Sequence, residues 1–85
     1  MMNTLENFNV TDRKTFIEFI DFLRMDLINN PENWENKTLP EFLEALSAYT
    51  EDIQGYYRNM KLNKNADIPD WSIFADIFNG AKIYE

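Results

Sequence analysis

Thr38-Leu39-Pro40-Glu41-Phe42-Leu43-Glu44-Ala45-Leu46-Ser47-Ala48-Tyr49-Thr50-Glu51-Asp52-Ile53-Gln54-Gly55-Tyr56-Tyr57 is the stretch whose reading decides the fold. It opens with Thr38 and, three residues on, Glu41, the spacing of a capping box in which each side chain accepts the other residue's backbone N–H. Leu39, Phe42, Leu43, Leu46, Tyr49, Thr50, Ile53, Tyr56 and Tyr57 then recur at three- and four-residue spacings. At 100° per residue the apolar members cover an arc of about 140°, and Glu41, Glu44, Glu51 and Asp52 fall on the other side. The stretch predicts an amphipathic helix over 39–57 with one wet face.

Downstream, residues 58–69 are polar, rich in Asn and Lys, and read as a surface loop. Asp70 then caps a last helix over 71–84 that carries Trp71, Phe74, Ala75, Ile77, Phe78, Ala81 and Tyr84. Ala81 and Tyr84 keep the 3.6-residue period, so this helix is expected to run through Asn79-Gly80 despite the roughly 1 kcal/mol disadvantage of Gly against Ala.

Upstream, Thr11 is read as the N-cap of a first helix over 12–28, with Asp12 complementing the positive end of its dipole. Asn30-Pro31-Glu32 reads as a second start, with Pro31 at the first helical position and a single turn over 31–35 carrying Trp34. In the first helix Phe16, Ile20, Leu23 and Leu27 form a stripe that Ile17 and Ile28 widen on one side and Phe19 and Phe22 on the other. A helix apolar over most of its circumference is buried on several sides or lies in an interface, and the central position of a bundle is the preferred reading. No strand pattern or repeat interrupts the chain. The expectation is an all-α fold, a small bundle of three main helices with a short extra helical turn. It forms one domain over residues 1–85, with 1–10 as an irregular N-terminal arm.

Composition removes whole chemistries. The 85 residues include no Cys and no His, so disulfides, thiolate sites, Cys nucleophiles and imidazole bases or ligands are all out of reach. Only oxygen-based metal sites remain, and the best candidate spacing, Asn63-Lys64-Asn65-Ala66-Asp67, fails as a calcium loop. Ile68 replaces the required Gly and Phe74 the closing Glu, leaving an ordinary Asn-rich turn. No cofactor or metal is expected. No apolar run approaches the roughly 20 residues of a membrane span, and the first residues lack a secretory pattern, so the expected location is the cytoplasm, with no membrane association.

Fifteen acids against eight bases give a net charge of -7, unevenly spread. Residues 38–57 carry four carboxylates and no cation, whereas Arg58, Lys61 and Lys64 follow with no acid between them. Three cations make too small a surface for nucleic acid. The four carboxylates could run acid–base chemistry only if one were buried with a raised pKa, which their wet-face position opposes. No phosphate loop or nucleophile elbow is present. The protein is therefore read as not an enzyme, with a carboxylate-based enzyme as a remote alternative. Trp34 and Trp71 each stand near a helix start. Both rings are expected to plug gaps in the bundle, their indole N–H groups bonded to a carbonyl, with an interface-anchor role as the alternative.

Two blocks, Trp34-Glu35-Asn36-Lys37-Thr38-Leu39-Pro40-Glu41-Phe42-Leu43-Glu44-Ala45-Leu46 and Trp71-Ser72-Ile73-Phe74-Ala75-Asp76-Ile77 through Ala81-Lys82-Ile83-Tyr84-Glu85, carry a resemblance. The chain resembles a family of small bacterial proteins of unknown function built around a W-E-N-x-T-L-x-x-F-L block and a C-terminal A-K-I-Y-E. The resemblance brings no activity with it. It implies that the chain is a complete protein and that the Trp, Asn and terminal Tyr-Glu positions belong to the framework or to a shared surface. A weaker, generic similarity is to small acidic helical immunity proteins. The functional expectation is a non-catalytic protein-binding module, immunity-like or inhibitor-like. Glu41, Glu44, Glu51 and Asp52 would dock a basic partner, with Trp34 or Tyr57 as anchors. The alternative is a homodimer seamed along the apolar side of the first helix at Phe19 and Phe22.

Overall fold

The first helix begins at a reciprocal cap one residue later than the sequence suggests. In the computed structural model, which describes residues 9–85, Asp12 is the N-cap of α1 (Arg13–Asn29). Its Oδ1 accepts from the Thr15 backbone N–H at 2.9 Å, while Thr15 Oγ1 accepts the backbone N–H of Asp12 at 3.1 Å and of Thr11 at 2.9 Å. Thr15 serves three residues after the cap where a Glu would be the recognisable partner, which is why Thr11 looked the better choice. A short 3₁₀ turn (Pro31–Asn33) follows, and Trp34 stands just past its end.

The capping box of α2 (Leu39–Asn59) forms as its spacing predicts, with Thr38 Oγ1 accepting from Glu41 N and Glu41 Oε1 from Thr38 N. The helix outlasts its amphipathic pattern by two residues and ends in a Schellman turn. The Leu62 N–H reaches Tyr57 O at 2.9 Å and the Lys61 N–H reaches Arg58 O at 3.0 Å. Lys61 occupies the left-handed position of that turn, φ 59°, where Gly is the usual residue. The loop beyond it is pinned by Gln54, which donates to Lys64 O and accepts from Ala66 N. Asn65 closes a local turn on Asp67 N, the ordinary Asn-rich turn expected there.

The third helix, α3 (Trp71–Ala81), passes through Asn79-Gly80 as predicted but stops at Ala81 rather than Tyr84. The carbonyls at and beyond its end are taken by the segment after Trp34. Asn36 Nδ2 donates to Ala81 O at 2.9 Å and to Tyr84 O at 2.8 Å, and the N–H groups of Glu35 and Asn36 both reach Lys82 O.

The sandwiched helix is α3, not α1. It packs on both α1 and α2, while α1 and α2 have little contact with each other. At 11 residues α3 is the shortest of the three, and its apolar residues are spread around it, so it needs cover on more than one side. One core cluster joins Val10, Phe19, Leu23, Trp34 and Ala75, and a second joins Ile53, Tyr57 and Ile73. Phe16 bridges the helices, its ring 5.3 Å from that of Trp71 and 5.9 Å from that of Phe78. By contrast Ile17 and Ile28 on α1 remain more than half exposed. The arm expected over 1–10 lies almost wholly outside the described residues, and at its described end Val10 is buried in the core. Among the described residues there is no strand, and no helix is long and apolar enough to cross a membrane.

Candidate functional site

The two sequence blocks that carry the resemblance meet in space, and their meeting builds the most distinctive polar arrangement of the molecule. Trp34, 5% exposed, donates its indole N–H to Asp26 Oδ2 at 2.9 Å. Lys82 bonds the same oxygen at 3.0 Å, its ammonium 5.5 Å from the Trp34 ring centre, and Asn30 donates to Oδ1. Burial pushes the Asp26 carboxyl upward, but the bonds from Trp34, Lys82 and Asn30 outweigh it and hold the pKa below the ordinary aspartate value.

A second arrangement of the same kind ties the end of α2 to α3. The hydroxyl of fully buried Tyr57 donates to Asp76 Oδ2 at 2.7 Å, and Lys64 bonds that oxygen at 2.7 Å with its ammonium 5.1 Å from the Tyr57 ring centre. Burial, then the bond to Asp76 and the negative charge beside it, raise the Tyr57 hydroxyl far above the usual tyrosine range. It is a fixed hydrogen-bond donor.

Between these two arrangements lies a half-open groove of about 810 Å³, formed by α2, α3, the loop at Leu62 and Lys64, the segment after Ala81, and Phe22, Asp26 and Asn33 from α1 and the turn after it. Tyr49, Tyr56 and Tyr84 line it, with the Tyr49 ring 5.1 Å from Tyr84 and 6.5 Å from Tyr56. Gly80 lets the Tyr49 ring lie directly on the α3 backbone, since any Cβ there would overlap it. The Tyr84 hydroxyl donates to Asp52 at the rim. That bond first, then burial and the charges of Asp52 and Glu51, raise its pKa.

The expected docking residues separate into three groups. Glu41, Glu44, Glu51 and Asp52 are all exposed on α2. Glu41 is occupied by its cap, whose bonds from the Thr38 and Lys37 N–H groups lower its pKa, and Asp52 by Tyr84. Glu44 and Glu51 make no hydrogen bond or ion pair with any described residue. Trp34 and Tyr57 are corrected outright as surface anchors, because one is 5% and the other 0% exposed and both polar tips are engaged inside the fold. Trp34 plugs the bundle as expected, with a carboxylate in place of a carbonyl, and Trp71 lies half-buried against Phe16 and Phe74. Phe19, 1% exposed, sits in the core of the protomer, and Phe22 is half-buried beside it. The seam expected along these two rings is thus not open at Phe19.

The sequence marks Tyr84 only through the resemblance and Lys64 only as one of three clustered cations, and it assigns no role to Asp26, Asp76 or Lys82. The one usable signal was Asp26, a carboxylate one turn beyond Phe22 on the apolar flank of α1, where a charge needs partners. Among the described residues no group of three or more acids converges as a metal site would require.

The class defined by this fold and site is a small three-helix α domain whose Trp34 and C-terminal segments are knit through the hydrogen bonds of Asn36 and a partly buried Asp26–Lys82 ion pair, beside a tyrosine-lined groove. The chain belongs to DUF7660, a family of unknown function, whose family model matches residues 12–85. Comparison with curated proteins and with solved structures finds no match for the chain.

Proposed function

We propose that this protein is a non-catalytic binding module, immunity-like or inhibitor-like, that docks a basic protein partner through the acidic face of α2 and the groove beside it. The observation that carries the reading is the uncompensated charge of residues 38–57, four exposed carboxylates and no cation, ending at a groove with exposed aromatic and aliphatic side chains. Opposite charge speeds encounter, and desolvated aromatic groups slow release. With Trp34 and Tyr57 inside the fold, Tyr56 takes the anchor role, 45% exposed at the groove with Leu62 and Ile83 nearby.

Two features favour binding over the alternatives. Carboxylate catalysis asks for one acid with a raised pKa, and the shifts at Asp12, Asp26 and Glu41 all run downward. A homodimer through α1 would have to use Ile17, Met25 and Ile28, around which Arg13, Asp21 and Arg24 break up the apolar surface.

The test uses an immobilised nona-arginine peptide as a defined basic probe. Glu44→Gln, Glu51→Gln and Asp52→Asn together should slow association at low salt by about tenfold and flatten its salt dependence. An unchanged low-salt rate overturns the proposal.

A further inference from the structure

Three aspartates of this chain accept a hydrogen bond through Oδ2 from an aromatic side chain: Asp26 from Trp34, Asp76 from Tyr57 and Asp52 from Tyr84. In the first two pairs a lysine completes the arrangement. Lys82 and Lys64 bond the same Oδ2 that the aromatic donor uses, and each ammonium stands within 5.5 Å of that donor's ring centre. This geometry satisfies charge, hydrogen bonding and cation–π attraction together. All eight Lys and Arg side chains of the protein lie in the described residues, and none of them forms an ion pair with Asp52. The Tyr84–Asp52 pair therefore has the aromatic group and the carboxylate, and no described residue brings it a cation.

We infer that Tyr84 and Asp52 receive a basic side chain of the partner protein, arginine in preference to lysine, in the way that Lys82 and Lys64 are received by the other two pairs. The inference rests on the binding reading above and specifies its central contact. Charge supports it. The groove is lined by Asp26, Asp76 and Glu85 against Lys64 and Lys82, and Asp52 stands at its rim, so four carboxylates face two already paired cations. Tyr49 backs the Tyr84 ring at an interplanar angle of 65°, giving a second aromatic wall. Asp52 is exposed, and at a wet site the weakly hydrated, planar guanidinium keeps more of its interaction than an ammonium and stacks on a ring while it bonds a carboxylate. Tyr56, Leu62 and Ile83, each at least 45% exposed, provide apolar cover for residues flanking the arginine, which is what a polypeptide rather than a free amine would use.

The test is an amide NMR titration of the full chain with N-acetyl-arginine amide, N-acetyl-lysine amide and the neutral N-acetyl-citrulline amide. Saturable shifts are expected at Tyr49, Glu51, Asp52 and Tyr84 with the arginine compound, weaker ones with lysine and none with citrulline. Asp52→Asn should weaken the arginine affinity about threefold, the loss expected when an exposed ion pair is removed and the ring contact stays. Tyr84→Leu, which removes the ring and keeps the carboxylate, should also weaken it. Glu44→Gln, about two turns away on the same helix, should leave it unchanged. Arginine shifts absent from these four residues, or undiminished in both Asp52→Asn and Tyr84→Leu, overturn the inference. Spermidine shifting them where the arginine compound does not would also overturn it, in favour of a small-amine site. The binding reading fails separately, by an unchanged rate of the triple variant on nona-arginine.

Discussion

Gly55 and Gly80 are the two glycines of the chain, both inside helices, and alanine at each should change stability in opposite directions. Propensity alone favours alanine by about 1 kcal/mol at an interior helix position. A Cβ on Gly55 meets nothing within 4 Å, so Gly55→Ala should show that gain nearly in full, a rise in melting temperature of about 4–8 °C for a domain of this size. A Cβ on Gly80 would fall inside the ring of Tyr49. That ring is held between Tyr84 and Tyr56 at 5.1 and 6.5 Å. Forcing it aside costs about 1–3 kcal/mol as overpacking, or about 0.5–1.5 kcal/mol for each aromatic contact surrendered. Overpacking, or the loss of both ring contacts together, exceeds a propensity gain that is already reduced one residue from the end of α3. Gly80→Ala should therefore destabilise by about 1 kcal/mol or more, read by urea unfolding followed by circular dichroism with an unchanged m-value. In a Tyr49→Ala background the clash is gone and Gly80→Ala should turn neutral or stabilising. Gly80→Ala stabilising the wild-type chain as Gly55→Ala does, or staying destabilising without the Tyr49 ring, refutes the close approach.

Lys61 in the left-handed position of the α2 Schellman turn predicts that Lys61→Gly stabilises by about 1 kcal/mol, seen as a higher urea midpoint; a lower midpoint contradicts it. Asp26 predicts an acid limb. Its folded-state pKa is depressed below 3.8, so its stabilising contribution is complete above that value and is lost as pH falls through the folded pKa. Asp26→Asn should lower stability at neutral pH and flatten the loss of stability below about pH 4, measured by urea midpoints across pH. A parallel pair of curves would show that the carboxylate is not held this way.

Those features turn on contacts of different range, and range decided what could be read from the residues. The capping box of Thr38 and Glu41, the period of α2 and the continuation of α3 through Gly80 are local, and each was legible. The acidic face was legible too, because sequence spacing alone sets which side of a helix a residue occupies. Trp34 was ambiguous because a tryptophan flanked by Asn33 and Glu35 has the same local pattern whether it anchors a partner or closes a core. What settles it is Lys82, 56 positions from Asp26, and Asn36, which catches carbonyls 45 and 48 positions away. Tyr57 was misplaced for the same reason, since Asp76 comes to it only when α3 packs on α2. The over-apolar character of α1 suggested a sandwiched helix, whereas Ile17 and Ile28 stay in contact with solvent and α3 takes the central place.

The central claim, that a basic partner docks on α2 and its groove and not on the exposed apolar side of α1, is tested most directly by locating the bound probe. A spin-labelled nona-arginine peptide added to the isotopically labelled chain at low salt should broaden the amide signals of residues 49–56 and 83–85, and an excess of salt should restore them. Broadening centred instead on the α1 residues around Ile17 and Ile28, or spread evenly over every acidic residue of the chain, would contradict the account.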